Sequence, residues 1–206
     1  MVNIIIKTLI KCLFFFNLIQ IHDLSAQNIT FKNRIAKIHD FYSNFRQQII
    51  DKSGEIIQSG IGEIKIKKVG LFNWHLMYPN EIKIISNSKT IWFHDYLTNQ
   101  VNIFFSKDII KDTPCVLFTN KNSKLFKKYD IFKKQDYFLL FPKDNTTVKY
   151  YSICINSNGI IKKIELVEKS GFKNIVYFFG QKLQKFNYDQ FIFTSSPGLT
   201  IDDKRY

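Results

Sequence analysis

Cysteine is scarce in this chain: three among 206 residues, one of which, Cys12, lies in a segment that reads as an export signal. Cys115 and Cys154 stand far apart and make no disulfide framework of the kind that staples small secreted domains. They read as two buried thiols, although an oxidising compartment would permit a bridge. Histidine is scarce too. His22, His39, His75 and His94 show no metal-ligand spacing, and no pair of carboxylates stands out as an acid and a base. A Gly-x-Ser-x-Gly elbow, a phosphate loop and a dinucleotide fingerprint are all missing. The residues therefore point away from an enzyme, and they call for no cofactor and no metal.

Long apolar runs are also missing. Beyond the first residues nothing approaches the roughly 20 apolar residues of a membrane-spanning helix, so the mature chain is expected to be soluble. Acidic residues number 17 against 30 Lys and Arg, a net charge of +13. Such a surplus favours acidic partners, nucleic acid or anionic lipid heads in general. The basic residues are scattered, however, with no strong cluster beyond Lys121 to Lys134, and charge alone assigns no nucleic-acid partner.

The N-terminus is organised differently. Lys7 and Lys11 flank a mostly apolar run from Cys12 to Ile21, which leads into Leu24-Ser25-Ala26. A basic start, about ten apolar residues and a small residue before the break describe an export signal, with cleavage after Ala26. Removing Lys7, Lys11 and Asp23 leaves +12 on residues 27 to 206. Length and patterning make that remainder a single domain.

Residues 28 to 50 read as one amphipathic helix, with Phe31, Ile35, Ile38, Phe41 or Tyr42, Phe45 and Ile49 at three- and four-residue spacing. Thr30 stands where a cap would. From there the period becomes that of strands, punctuated by turn residues: Ile56 to Ile66, Leu71 to Met77, Ile82 to Ile85, Ile91 to Tyr96 and Val101 to Phe105. Thr113-Pro114 suits a helix start, so one or two short helices are expected over Cys115 to Phe118 and Lys121 to Tyr129. Strands resume at Tyr137 to Phe141, Lys149 to Ile155, Ile160 to Glu168 and Lys173 to Phe179. A last strand, Gln190 to Thr194, precedes a polar tail.

The sum is mainly β (α+β). Short, closely spaced strands favour consecutive antiparallel pairing, and a sheet of about ten or eleven strands tends to curl. An incomplete barrel would then leave an open side for the helices to plug, giving an apolar concave face with a removable cover.

An ordered set of residues carries a family resemblance. It runs through Phe41, Phe45, Gln47, Ser53-Gly54, Gln58, Gly60 and Gly62, then Gly70-Leu71-Phe72-Asn73-Trp74, Pro79, Ser88-Lys89-Thr90-Ile91-Trp92-Phe93 and Gln100-Val101. It continues through Thr113-Pro114, Tyr129, Phe138, Leu140, Pro142-Lys143 and Gly159 to Phe191, Phe193, Pro197-Gly198 and residues 199–205. This order and spacing resembles the LolA family of outer-membrane lipoprotein carriers over nearly all of the mature chain. The resemblance implies an incomplete antiparallel β-barrel under an α-helical lid. It implies a monomeric, non-enzymatic periplasmic chaperone whose partners are acylated lipoproteins, an inner-membrane ATP-driven lipoprotein-releasing exporter and the outer-membrane receptor LolB. Two departures stand out. Lys68-Val69 replaces the family's Arg-Pro; Lys68 keeps the charge of the lid latch but loses the planar fork of donors. Cys115 replaces a common aromatic in the lid.

Alternation supplies candidate cavity residues. On Leu71 to Met77, Phe72, Trp74 and Leu76 share one face, and Asn73 and His75 the other; the first set is assigned inward. Phe41 and Phe45 on the first helix, with Val116, Leu117 and Phe118 in the second lid segment, would pack over them. Trp92 and Phe93 point to opposite faces; alternation leaves open which is inside, and Trp92 stands with the candidate cavity set. An anchored receptor of the LolB type would need a lipid-modified N-terminal cysteine, whereas Cys12 follows Lys11 with no small residue before it. A periplasmic lipid hydrolase would need a nucleophile with a base in reach, and none can be nominated.

Overall fold

The computed structural model describes residues 24–67, 70–110 and 125–206. Helix α1 (Leu24–Ala36) leads into β1 (Phe41–Ile50), and β2 (Ile56–Lys67), β3 (Leu71–Tyr78), β4 (Ile82–Asn87), β5 (Thr90–Asp95) and β6 (Gln100–Phe105) follow. After the short helix α2 (Ser106–Ile110) and a 3-10 turn at Leu125–Lys128 come β7 (Tyr129–Lys134), β8 (Tyr137–Pro142), β9 (Val148–Ile155), β10 (Ile161–Glu168) and β11 (Lys173–Leu183). A second 3-10 turn, Tyr188–Phe191, precedes β12 (Thr200–Asp203).

Among the described residues, twelve strands join one sheet in the order β12-β6-β5-β4-β3-β2-β1-β11-β10-β9-β8-β7. Within β1 to β6 and within β7 to β11, consecutive strands pair antiparallel, as short hairpin loops dictate. Two pairings are not local: β1 takes β11, and β12 lies parallel to β6. Strands β12 and β7 remain at the two edges, so the sheet does not close into a full barrel. Side-chain carboxylates and amides shape the hairpins. Asp51 accepts from the backbone N–H of Ser53 and Glu55, and Asn156 does the same for Asn158 and Ile160.

Four expectations are corrected. The single helix over 28–50 is instead α1 followed by β1. Spacings of four are also multiples of two, so Phe41, Phe45 and Ile49 fit one face of a strand as well as a helix. The sheet decides, because β1 is hydrogen-bonded along both edges, to β2 and β11. Thr30 is within α1 and donates to the Ala26 carbonyl at 2.9 Å, so it is no cap. Of the basic stretch Lys121 to Tyr129, the described part is a 3-10 turn at Leu125–Lys128 that stops where Tyr129 begins β7, and residues 121–124 lie outside the described residues. Gln190 to Thr194 is not a strand; the tail beyond it supplies one instead, β12, which covers the β6 edge.

The core sits on the concave face. Phe41 and Phe45 of β1, Ile64 and Ile66 of β2, Phe72 and Leu76 of β3, and Ile153, Phe138, Leu140 and Ile131 of β9, β8 and β7 form one buried cluster. Helix α1 lies over its β7–β9 side, inserting Phe31 beside Phe138, with ring centroids 4.8 Å apart. Phe31 is fully buried there. On the outer face, the segment after β11 packs Phe186 and Phe191 on Leu71 and bonds Asn73 to the Gln190 carbonyl at 3.0 Å.

Candidate functional site: a half-covered apolar concavity

The middle of the concave face is built from β1, β2, β3 and β11. Phe45 stacks on Trp74 with ring centroids 3.9 Å apart, and Phe178 stands edge-on to Trp74 at 6.5 Å. Phe45 lies opposite Gly62 on β2, and Gly62 opposite Leu76 on β3. A Cβ at Gly62 would meet the His75 carbonyl at 2.2 Å and Phe45 Cζ at 2.5 Å. The glycine is therefore the hole that lets a large ring lie flat across the sheet.

Cover over this face is uneven. Phe72, Leu76, Phe41 and Phe45 are buried, whereas Trp74, Ile82, Ile84, Ile164, Leu166 and Phe178 are half-buried against the same cluster. Beside Leu166 opens a cleft of about 810 Å³ with Tyr129, Val148 and Tyr151 in its apolar wall and Lys128, Thr146, Thr147 and Ser170 among its polar lining. That volume lies within the roughly 300–1,000 Å³ of ligand pockets.

Helix α1 is held by its polar side. Arg34 Nη1 donates to Asp136 Oδ1 at 2.6 Å and to the Ile155 carbonyl at 2.5 Å, and its guanidinium lies 5.2 Å from the Phe138 ring centre. Lys37 Nζ reaches the Ser157 carbonyl at 2.9 Å. The helix end comes so close to the β9–β10 turn that a Cβ on Gly159 would lie 2.8 Å from the Lys37 carbonyl carbon.

Among the described residues, apolar side chains dominate the middle of the concavity and its polar groups are engaged. Ser43, buried in it, donates to the Phe179 carbonyl at 3.0 Å, and Gln47 bonds Asn174 at 3.0 Å. Among the described residues, the side chains whose protonation the fold shifts lie elsewhere. Burial pushes the His94 imidazole down and the Tyr96 phenol up, and both stack together on the outer face. Among the described residues no cluster of metal-ligating side chains occurs, and no helix is long and apolar enough to cross a membrane.

Of the sequence-nominated residues, Phe72, Trp74 and Leu76 share the concave face with Phe41 and Phe45. The last two belong to β1, not to a covering helix. Trp92 is corrected outright: Ile91 joins the concave cluster, which turns Trp92 outward to stack on Phe193 at 6.3 Å. Val116, Leu117, Phe118, Cys115 and the latch Lys68 lie outside the described residues; Cys154 is buried and unbridged. Sequence reasoning missed Phe178, Ile164 and Leu166, which alternation on β10 and β11 would have found. It also missed Arg34, which carries no local signal, because its partners lie 102 and 121 residues away.

Residues 36–194 match the model of a family described as outer membrane lipoprotein carrier protein LolA. An outer-membrane lipoprotein carrier protein of Yersinia enterocolitica is 32% identical over 200 residues, covering 97% of this chain and 98% of the relative. One of Yersinia pestis is 31% identical, covering 97% and 99%. Among solved structures, an uncharacterized conserved protein of Thermus thermophilus shares the fold at a TM-score of 0.56 and 12% identity, over 87% of this chain and 99% of that one.

Proposed function

Since the chain belongs to the LolA family of outer membrane lipoprotein carrier proteins, we propose that it is a periplasmic chaperone without catalytic activity. It takes lipoproteins released from the inner membrane by an ATP-driven exporter, shields their acyl chains in the concavity, and delivers them to a LolB-type receptor. The observation that carries this reading is the half-open apolar face around Trp74 and Phe178, continuous with a core over which α1 is clamped by polar contacts.

Elementary energetics favours such incomplete enclosure. Burying a methylene is worth about 0.8 kcal/mol, so one sixteen-carbon chain is worth roughly 12 kcal/mol. Two or three fully buried chains would exceed the practical ceiling of about 18–21 kcal/mol, and the carrier would never release them. A face left partly open, with a cover that must be displaced on loading, lowers the net affinity. Delivery then needs only a modest receptor preference, about 1.4 kcal/mol per tenfold.

Helix α1 suits the role of cover. It contributes Phe31 to the core, with Ile35 packed against the same cluster, yet is fastened by Arg34, and by Lys37 just beyond its end, to carbonyls and a half-exposed carboxylate. Incoming alkyl chains replace the apolar contacts, and water replaces the polar ones. The decisive experiment adds the purified protein to spheroplasts that display inner-membrane lipoproteins. Release of a lipoprotein into solution as a one-to-one complex is expected; lipoproteins that stay with the membrane at saturating protein defeat the reading.

A further inference from the structure

The outer face of the sheet is divided. Its β3–β6 side is dressed by the C-terminal segment, through Phe186, Phe191 and Phe193. Its β7–β11 side instead shows aromatic rings to solvent. Phe132, Phe141 and Tyr150 run across three neighbouring strands with ring centroids 5.7 and 5.5 Å apart. Farther along, Tyr177 is 39% and Phe179 52% exposed, and Phe132 is 47% exposed. Exposed rings in such number on one sheet face signal an interaction surface rather than chance.

Charge on the same face is one-sided. Arg46 lies opposite Tyr177 across β1 and β11, and it is exposed, as are Lys134 and Lys182. Lys163 Nζ lies 5.5 Å from the Tyr177 ring centre, and Lys182 Nζ 5.2 Å from that of Tyr42. The acids on this face are engaged: Glu165 with Lys163 at 2.7 Å, Asp130 with Lys143 at 3.1 Å, and Glu63, which accepts from the Tyr42 hydroxyl at 3.0 Å. The surplus is in keeping with the +13 of the whole chain.

We propose that the outer face of β7–β11 and the adjoining β1, with Phe132, Tyr177 and Phe179 amid Arg46, Lys134 and Lys182, docks reversibly on anionic phospholipid bilayers. Aromatic rings settle at the headgroup level, and long basic side chains reach the phosphates around them. Each basic residue at an anionic surface adds attraction that falls off within a Debye length. The rings are spread over a broad sheet surface rather than gathered in a groove, which fits a bilayer better than a peptide segment. Docking by the outer face leaves the concavity free, so membrane approach and cargo shielding use opposite sides of one sheet.

The test uses the purified full chain, free of cargo, sedimented with vesicles of phosphatidylglycerol and phosphatidylethanolamine, and separately with phosphatidylcholine alone. Binding is expected to the phosphatidylglycerol vesicles only, weakening as salt is added. The triple variant Arg46→Glu, Lys134→Glu, Lys182→Glu should bind about tenfold or more weakly. The variant Phe132→Ser, Phe179→Ser should also lose binding, with its unfolding transition unchanged because both rings are exposed. Equal binding to phosphatidylcholine would assign the interaction to acyl-chain uptake by the concavity and overturn the proposal. Wild-type binding by the charge-reversed protein, no sedimentation at all, or capture of acidic proteins but not vesicles would overturn it too. Lipoprotein release by these variants should be undiminished, so failure here and failure of the carrier reading are separate outcomes.

Discussion

The Arg34 guanidinium and the Asp136 carboxylate, 102 residues apart in sequence, meet at 2.6 Å and fix the covering helix to the β7–β8 turn. The same guanidinium caps the Ile155 carbonyl, so one side chain serves two elements. Arg34→Leu should release α1 while the sheet stays intact. Amide exchange in residues 27–36 should accelerate at least tenfold, with exchange in β1 to β3 unchanged. Arg34→Lys should restore protection only in part, because an ammonium lacks the planar fork. Equal protection in all three proteins would remove Arg34 as a clamp.

Gly62 is the most tightly enclosed of the described glycines. Gly62→Val places carbon against the His75 carbonyl and the Phe45 ring, and overpacking of this kind costs about 1–3 kcal/mol. The guanidinium chloride midpoint should fall accordingly. Trimming Phe45 to Leu in the same chain should recover only part of the loss, since the carbonyl contact is backbone and does not yield. Full recovery would mean that the ring alone sets the spacing.

Cargo binding should depend on the half-open residues more than on the buried ones. Trp74→Gln and Phe178→Gln put amides onto the exposed half of the apolar face, where unsatisfied polar groups disfavour alkyl chains. Lipoprotein release from spheroplasts should fall severalfold while the fold persists. Phe72 is a poorer probe, because it is buried in the core and a charge there would unfold the sheet. Wild-type release by both variants would displace the cargo site from this face.

Burial of His94 on the outer face should make stability depend on pH. His94 lies under Tyr96 and Phe193, and its Nε2 has no hydrogen-bond partner among the described residues. Burial is the largest influence on it and depresses its proton affinity; Glu81 and Asp95 oppose this, and Lys83 adds to it. As pH falls below about 6.5 the unfolded chain takes up this proton before the folded one does. Its stabilising contribution is thus complete above that value and declines below it. The urea midpoint of the wild type should drop more than that of His94→Gln between pH 7 and pH 5, both about. Parallel midpoints would exclude His94 as the source.

Much of the fold was legible residue by residue. The strands β2 to β6 and β8 to β10 fall close to where alternation and turn residues placed them, and β3 turned Phe72, Trp74 and Leu76 to one side as the pleat requires. The errors share one cause. Phe41, Phe45 and Ile49 satisfy two periods at once, and nothing within ten residues chooses between them. Alternation at Ile91-Trp92-Phe93 separates two faces but cannot say which is concave. Phe191 and Phe193 alternate as in a strand, yet their partners are side chains on the outer face rather than a neighbouring backbone.

The amino-acid order by itself determined that this chain makes short strands with one apolar face each, a basic surface, and the ordered motifs of its family. Those properties are local: they depend on side-chain size, the pleat and turn chemistry over a few residues. Only the tertiary structure decided that β1 pairs with β11, that β12 seals the β6 edge, that Arg34 reaches Asp136, and which apolar face curls inward. Such choices rest on contacts separated by a hundred residues or more, where chain connectivity and burial of the whole sheet, not local preference, set the free energy.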